Sequence, residues 1–179
     1  MLSIVTGGSG SGKSEFAENK AVSLNNNELI YIATMYPYDE ECKKKINRHL
    51  ILRKDKNFKT YECYTDLKSL KIPKRSTVLL DCISNVIANE MFNEEGAKEK
   101  AVPEILKGID NIYNQCENLV IVTNEIYSDG IKYDDETERY IKYSSEIISE
   151  ISKKADELIE VVYGIPISLK GGNKNAWTS

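Results

Sequence analysis

The sequence predicts an α/β chain: a mostly parallel sheet with helices on both faces. Three observations point there. Short, continuous apolar runs at Leu2 to Thr6, Leu29 to Ala33, Thr77 to Asp81 and Leu119 to Thr123 read as strands buried on both sides. Between them lie longer stretches whose apolar residues recur at helical spacing. A glycine-rich turn follows the first run directly, where a strand must hand over to a helix.

The elements follow in order. After the first strand, Phe16, Ala17, Ala21 and Leu24 give a helix from Lys13 to about Leu24, broken by Asn25-Asn26-Asn27. The charged stretch from Asp39 to Lys54 predicts a helix in its first part and a loop afterwards. Phe58 to Cys63 reads as a short strand, and Thr65 as the cap of a brief helix ending before Pro73. Ile83 to Phe92 is a helix and Asn93 to Gly96 a turn. A helix starts near Pro103, a residue tolerated in a first turn, with Ile105, Ile109, Ile112 and Cys116 on one stripe. A polar loop leads to a long helix from about Asp135 to Ala155, facing the core with Tyr140, Tyr143, Ile147, Ile148 and Ile151. Leu158 to Val162 and Ile165 to Leu169 close the sheet. Residues 1–170 form a single domain, and the tail 171–179, with Trp177, is expected to be disordered.

Composition narrows the function. A net charge of −4 offers no broad basic face, which argues against nucleic acid as the ligand. No run approaches the ~20 apolar residues of a membrane span, and the opening residues are not a signal peptide. Cys42, Cys63, Cys82 and Cys116 form no CxxC pair and read as ordinary thiols of a reducing, cytoplasmic location.

Gly7-Gly8-Ser9-Gly10-Ser11-Gly12-Lys13-Ser14 matches G-x4-G-K-[ST] in full, after a strand and before a helix. Glycines let successive N–H groups turn inward on phosphate oxygens, and the helix N-terminus adds its positive end. Lys13 would reach the β- and γ-phosphates, and the Ser14 hydroxyl would join a Mg2+ shell. Asp81 closes its apolar strand as a Walker B carboxylate, a second Mg2+ candidate. With this motif the fold expectation becomes a P-loop NTPase of the RecA-like kind. Ligands in such sheets sit beyond the carboxyl ends of the strands, where the glycine turn, Asp81 and Asn124-Glu125 all fall. The cradle does not choose among kinases, GTPases, transferases and motors.

His49, the one histidine, lies in the most basic stretch, Lys43-Lys44-Lys45-Ile46-Asn47-Arg48-His49-Leu50-Ile51-Leu52-Arg53-Lys54. One reading is a solvated basic helix face. The other is a phosphate-binding lip carrying a nucleophile, since neutral imidazole attacks phosphorus and cations steady the charge on its oxygens. The residues alone leave both open.

An ordered set of motifs resembles the bifunctional adenosylcobinamide kinase/adenosylcobinamide-phosphate guanylyltransferase family of cobalamin biosynthesis, from residue 1 to about 170. The set is Val5-Thr6-Gly7-Gly8, Tyr31-Ile32-Ala33-Thr34, Ile46-Asn47-Arg48-His49 with Arg53, and Thr60-Tyr61-Glu62. It continues with Leu79-Leu80-Asp81-Cys82-Ile83-Ser84 and Asn89, Val122-Thr123-Asn124-Glu125 with Gly130-Ile131, Arg139, and Gly164-Ile165-Pro166. Gly10 stands where the family commonly has arginine, Tyr133 where it has proline, and Ser149 replaces an asparagine of the long helix.

The resemblance implies two reactions at one site. ATP or GTP phosphorylates the aminopropanol hydroxyl of adenosylcobinamide. His49 then takes GMP from GTP and passes it to the cobinamide phosphate. Lys13 and His49 would be catalytic. Ala33, Thr34, Met35, Leu50, Ile51, Leu52, Arg53, Glu62 and Asp81 would join the glycine turn in holding nucleotide or metal, and family members imply a homotrimer. Two rival expectations are a P-loop small-molecule kinase without the guanylyl step, and a non-catalytic nucleotide-binding module.

Overall fold

The computed structural model describes residues 1–25, 27–125 and 133–171, apart from the side chain of Leu52. Gly130, Ile131 and the tail from residue 172 onward, with Trp177, lie outside the described residues.

Strand β1 (Leu2–Thr6) leads through the glycine turn into helix α1 (Lys13–Leu24), and β2 (Leu29–Ala33) into α2 (Glu40–Arg53). Next come β3 (Lys59–Glu62), β4 (Thr77–Asp81), α3 (Ile83–Phe92), α4 (Ala101–Gln115), β5 (Asn118–Val122) and α5 (Asp135–Lys154). Strands β6 (Glu157–Val162) and β7 (Ile165–Lys170) close the chain. One seven-stranded sheet has the order β3-β2-β4-β5-β1-β6-β7, parallel except for the β6–β7 hairpin. The glycine-turn strand β1 and the Asp81 strand β4 are separated by β5. That interposed strand is the arrangement expected of the RecA-like branch.

Each central strand is mostly apolar because both its faces are covered, and the buried Ser3, Thr77 and Asn118 are the polar exceptions. Leu2, Ile4, Ile30, Ile32, Val78, Leu80, Leu119 and Ile121 point into the core shared with α3, α4 and α5. The alternate residues Val5, Tyr31, Leu79, Val120 and Val122 pack with Ala17 and Ala21 of α1 on the other face. The stripe foreseen on α4 is Ile105, Ile109 and Ile112, all buried, with Cys116 partly buried against the same core. On α5, Ile147 and Ile151 are buried while Tyr140, Tyr143 and Ile148 flank them. Among the described residues no helix is long and apolar enough to cross a membrane.

Two local expectations are corrected. Helix α2 runs unbroken to Arg53, where a loop was expected in its second half. Its start is fixed by Asp39, whose carboxylate accepts from the Cys42 N–H at 2.7 Å. Glu40–Lys43 and Glu41–Lys45 pairs brace the first turns, and Arg53 is anchored in the protein at the far end. Thr65 is not a cap: the short 3-10 turn Leu67–Ser69 begins after Asp66, which takes a left-handed φ of 54° and makes no side-chain cap.

Candidate active site

The parallel sheet gathers the carboxyl ends of β1, β2, β4 and β5 at one edge, and the expected site residues are delivered there. Gly7 leaves β1 with φ 154°, and a Cβ on it would meet the Val161 carbonyl oxygen at 2.5 Å. Gly12 begins α1 at φ 89°. The loop rests on the tip of the β6–β7 hairpin, where the Gly164 N–H donates to the Ser11 carbonyl at 2.8 Å. That tip is a two-residue turn, Tyr163-Gly164, with both φ values positive as a hairpin twist requires. The Glu125 N–H reaches the Gly7 carbonyl at 3.2 Å and the Asn124 N–H donates to Ser84 Oγ, so the end of β5 is tied to the start of the loop and to α3.

Lys13 is buried at 8% exposure and folds back to donate to the Gly8 carbonyl at 3.1 Å. Burial lowers its pKa, opposed by the nearby Cys82 and Asp81. Ser14 follows in the first turn of α1, half-buried, while Gly8, Ser9 and Gly10 are exposed on the rim.

Asp81 ends β4 beside this lysine. Its Oδ2 accepts from the Tyr31 hydroxyl at 2.8 Å and lies 3.9 Å from His49 Nδ1. His49 comes from α2, on the same helical face as Ile46 and Arg53. Arg53, 6% exposed, stacks its guanidinium 3.4 Å from the centroid of the Tyr31 ring. Burial, then the Asp81 charge, raises the Tyr31 phenol above its ordinary range, with Arg53 working against them. The Cys82 thiol, next along, is pushed up to about 12 by burial and then by Asp81, which rules it out as a ready thiolate.

The remaining expected residues are distributed unevenly. Ala33 ends β2 half-buried, and Thr34 is buried with its hydroxyl committed to the Asp81 and Cys82 carbonyls at 2.9 and 3.0 Å. Asn89 locks the same corner by donating to the Thr34 and Tyr64 carbonyls. Thr34 therefore shapes the backbone at the strand ends. Met35 is half-buried beyond it. Leu50 is 46% and Ile51 71% exposed, and Ile51 faces away from the Arg53 side of α2. Leu52 belongs to the same helix. Glu62 ends β3, exposed, and accepts from the Tyr64 hydroxyl at 3.0 Å.

The buried polar atoms without a hydrogen-bond partner among the described residues are Ser11 Oγ, His49 Nδ1, Arg53 Nη1 and Ser144 Oγ. Three of the four belong to this site. Such atoms cost about 1–3 kcal/mol each unless something meets them, so the site is built for polar ligand atoms. A triphosphate on the glycine turn suits that need. The hydroxyl of Ser14 and the carboxylate of Asp81 are hard oxygen donors that fit magnesium, which takes most of its shell from phosphate and water. Among the described residues no cluster of three or more His, Cys, Asp or Glu could hold a metal alone.

Tyr31 and Asn89, part of the motif set but not expected at the site, are the neighbours of Asp81 and Thr34 that sequence reasoning missed. Their spacing in the chain carries no signal of contact with Asp81 and Thr34.

The family sequence model described as "Cobinamide kinase / cobinamide phosphate guanyltransferase" matches residues 3–169. The chain belongs to this family. The match takes in the P-loop, α2 with His49, and Asp81. Among curated relatives, the "Bifunctional adenosylcobalamin biosynthesis protein CobU" of Salmonella typhimurium is 29% identical, over 95% of this chain and 100% of its own. The Escherichia coli protein of the same name is 28% identical with the same coverage. Among solved structures, this cobinamide kinase/guanyltransferase family member is similar to the flagellar accessory protein FlaH of Methanocaldococcus jannaschii, at 15% identity and TM-score 0.47. That alignment covers 96% of this chain and 78% of the other. A second solved structure, an ATPase domain, aligns at 10% identity and TM-score 0.48, over 89% of this chain and 68% of the other.

Proposed function

We propose that this chain phosphorylates the aminopropanol hydroxyl of adenosylcobinamide and then transfers GMP to the phosphate, at one nucleotide site, with Lys13 and His49 as its catalytic residues. The observation that carries the reading is the delivery of the only histidine to Asp81, beside Lys13, with Nδ1 buried and unpartnered. A kinase that used the γ-phosphate alone would not require an imidazole nucleophile there.

In the first reaction the acceptor hydroxyl attacks the γ-phosphorus, and the bond to the β-phosphate oxygen breaks. The loop N–H groups and Lys13 hold the charge that builds on the leaving oxygens. In the second, His49 attacks the α-phosphorus of GTP and pyrophosphate leaves. The cobinamide phosphate oxygen then displaces the imidazole. Magnesium, held by Ser14 and Asp81, supplies charge neutralisation to the phosphates when it is bound. Arg53, whose buried Nη1 has no hydrogen-bond partner among the described residues, would line the nucleotide with Ala33, Met35, Leu50 and Glu62, whereas Ile51, turned to the opposite side of α2, would not. The family resemblance supports a cytoplasmic homotrimer with sites near subunit contacts, to be checked by sedimentation equilibrium.

The test is labelling of the purified protein with GTP and magnesium. GTP labelled at the α-phosphate should give a covalent adduct, stable in base and labile in acid, and GTP labelled at the γ-phosphate should not. His49→Ala should abolish the adduct. A wild-type protein that never takes up α-label removes the guanylyl half of the reading and leaves a small-molecule kinase.

A further inference from the structure

We propose that Tyr31 is a positioning residue for guanylyl transfer: its hydroxyl holds Asp81 against the Nδ1 edge of His49, so that Nε2 is the nitrogen that attacks phosphorus. The proposal rests on the reading of His49 as the guanylylated residue.

Tyr31 is 4% exposed in the middle of β2, between β3 and β4. The carboxylate of an aspartate at a strand end can rotate among lysine, water and metal. A donor fixed in a sheet strand holds one of the two carboxylate oxygens in place and leaves the other for magnesium, and the Tyr31 O–H is such a donor, 2.8 Å from Asp81 Oδ2. The ring itself is clamped. Phe58 meets it edge-on at 5.9 Å, and the Arg53 guanidinium covers a face at 3.4 Å. Arg53 lies one turn after His49 on α2, so the stack ties the helix that carries the histidine to the strand that carries the phenol. A second tie holds the end of α2, where Lys56 Nζ meets the buried Glu18 of α1 at 2.7 Å. Tyr31 thus fixes the carboxylate through its oxygen and the helix through its ring.

The oxygen it fixes is the one facing His49 Nδ1 at 3.9 Å, about 1 Å beyond a hydrogen bond. Catalytic contacts of this kind are often long before substrate binds. A proton on Nδ1 would point at the carboxylate, whereas a lone pair there would oppose it, so the Nδ1–H tautomer is favoured and Nε2 keeps its lone pair. That pair forms the N–P bond to the α-phosphorus of GTP while the P–O bond to the β-phosphate breaks, and pyrophosphate departs with the electrons. The imidazolium so formed keeps its proton on Nδ1, against Asp81. When the cobinamide phosphate oxygen attacks, the N–P pair returns to Nε2.

The experiment uses the full chain and the variant Tyr31→Phe, which keeps the ring and its stack and removes only the hydroxyl. In single turnover with α-labelled GTP, the variant should form adduct about 10–100-fold more slowly, as expected for loss of an orienting partner. GTP affinity and thermal unfolding should stay close to wild type. Phosphorus NMR of the denatured adduct, compared with authentic Nδ1 and Nε2 phosphoramidates of histidine, should show Nε2 linkage in wild type and a mixture in Tyr31→Phe. Adduct formation at the wild-type rate on the same nitrogen overturns the proposal and leaves the His49 reading intact. So does a loss of rate matched by loss of GTP binding and stability with the linkage unchanged, which is a structural role only. Nδ1 linkage in the wild-type adduct overturns it without any variant, and a wild type that forms no adduct overturns both readings.

Discussion

Gly7 shows how a single atom's space controls the cradle. Any side chain there meets the Val161 carbonyl oxygen at 2.5 Å, and φ 154° disfavours it independently. Gly7→Ala should therefore destabilise the fold by about 1–3 kcal/mol and weaken GTP binding, measured by thermal unfolding and calorimetric titration. Lys13 presents a different case, a buried cation whose ammonium donates to the Gly8 carbonyl of the same loop. Lys13→Met should lower both transfer rates about 10²–10³-fold, in line with loss of one charge-stabilising donor. Steady-state assays with γ- and α-labelled GTP would separate the two. The residues of the loop were legible because the motif is defined by local backbone geometry. Tyr31 was not, because its partner Asp81 is fifty positions away and meets it through the β2–β4 pairing.

At the scale of the element, α2 is the part that behaves as a unit. Asp39 at its start has its pKa held down by the Cys42 N–H, and Asp134 at the start of α5 by the Thr137 N–H. Both folded values are depressed. Their stabilising contribution is complete above the unfolded value of about 4 and is lost as pH falls through the lower folded values. Asp39→Ala should remove that acid sensitivity from α2, read by helical circular dichroism below pH 4 against wild type. It should also slow guanylylation more than γ-phosphate transfer, because His49 rides on this helix. Its second half was misread from sequence since Leu50 and Ile51 are apolar yet exposed, which breaks the amphipathic pattern. The helix continues because Arg53 finds Tyr31 and Lys56 finds Glu18, contacts that no local rule displays. Lys56→Met would strand the Glu18 carboxylate at 2% side-chain exposure and should cost about 3 kcal/mol, the lower end for a broken buried pair because Lys56 is itself partly exposed. The measurement is urea unfolding at neutral pH.

Across the whole molecule, the two layers over the sheet divide the work. The face under α3, α4 and α5 is a broad apolar core, while the face under α1 ends at the phosphate turn. The hairpin at the end of the chain returns to support the beginning, Gly164 against Ser11. Gly164→Val, at φ 80°, should strain that support and lower nucleotide affinity without touching a ligand, measured by GTP titration. A nucleotide that binds only the folded state adds about 2.7 kcal/mol at a hundredfold excess over Kd. For a chain of this size that should raise Tm by about 5–10 °C. The rise should require magnesium and vanish in Lys13→Met, a check on whether the cation site of Ser14 and Asp81 forms with the nucleotide.

The sequence by itself determined the parallel α/β sheet, the bounds of β1, β2 and β4 with the other strands placed to within a residue at either end, and the phosphate turn, because each depends on local periodicity or on backbone geometry written into a short motif. It also placed His49 in a basic stretch without deciding whether the imidazole faced solvent or a substrate. Only the tertiary structure decided that the histidine side of α2 turns inward, that Asp81 lies between His49 and Tyr31, and that the last hairpin buttresses the first loop. Those contacts join residues far apart in the chain, and only the pairing and packing of the sheet bring them within reach.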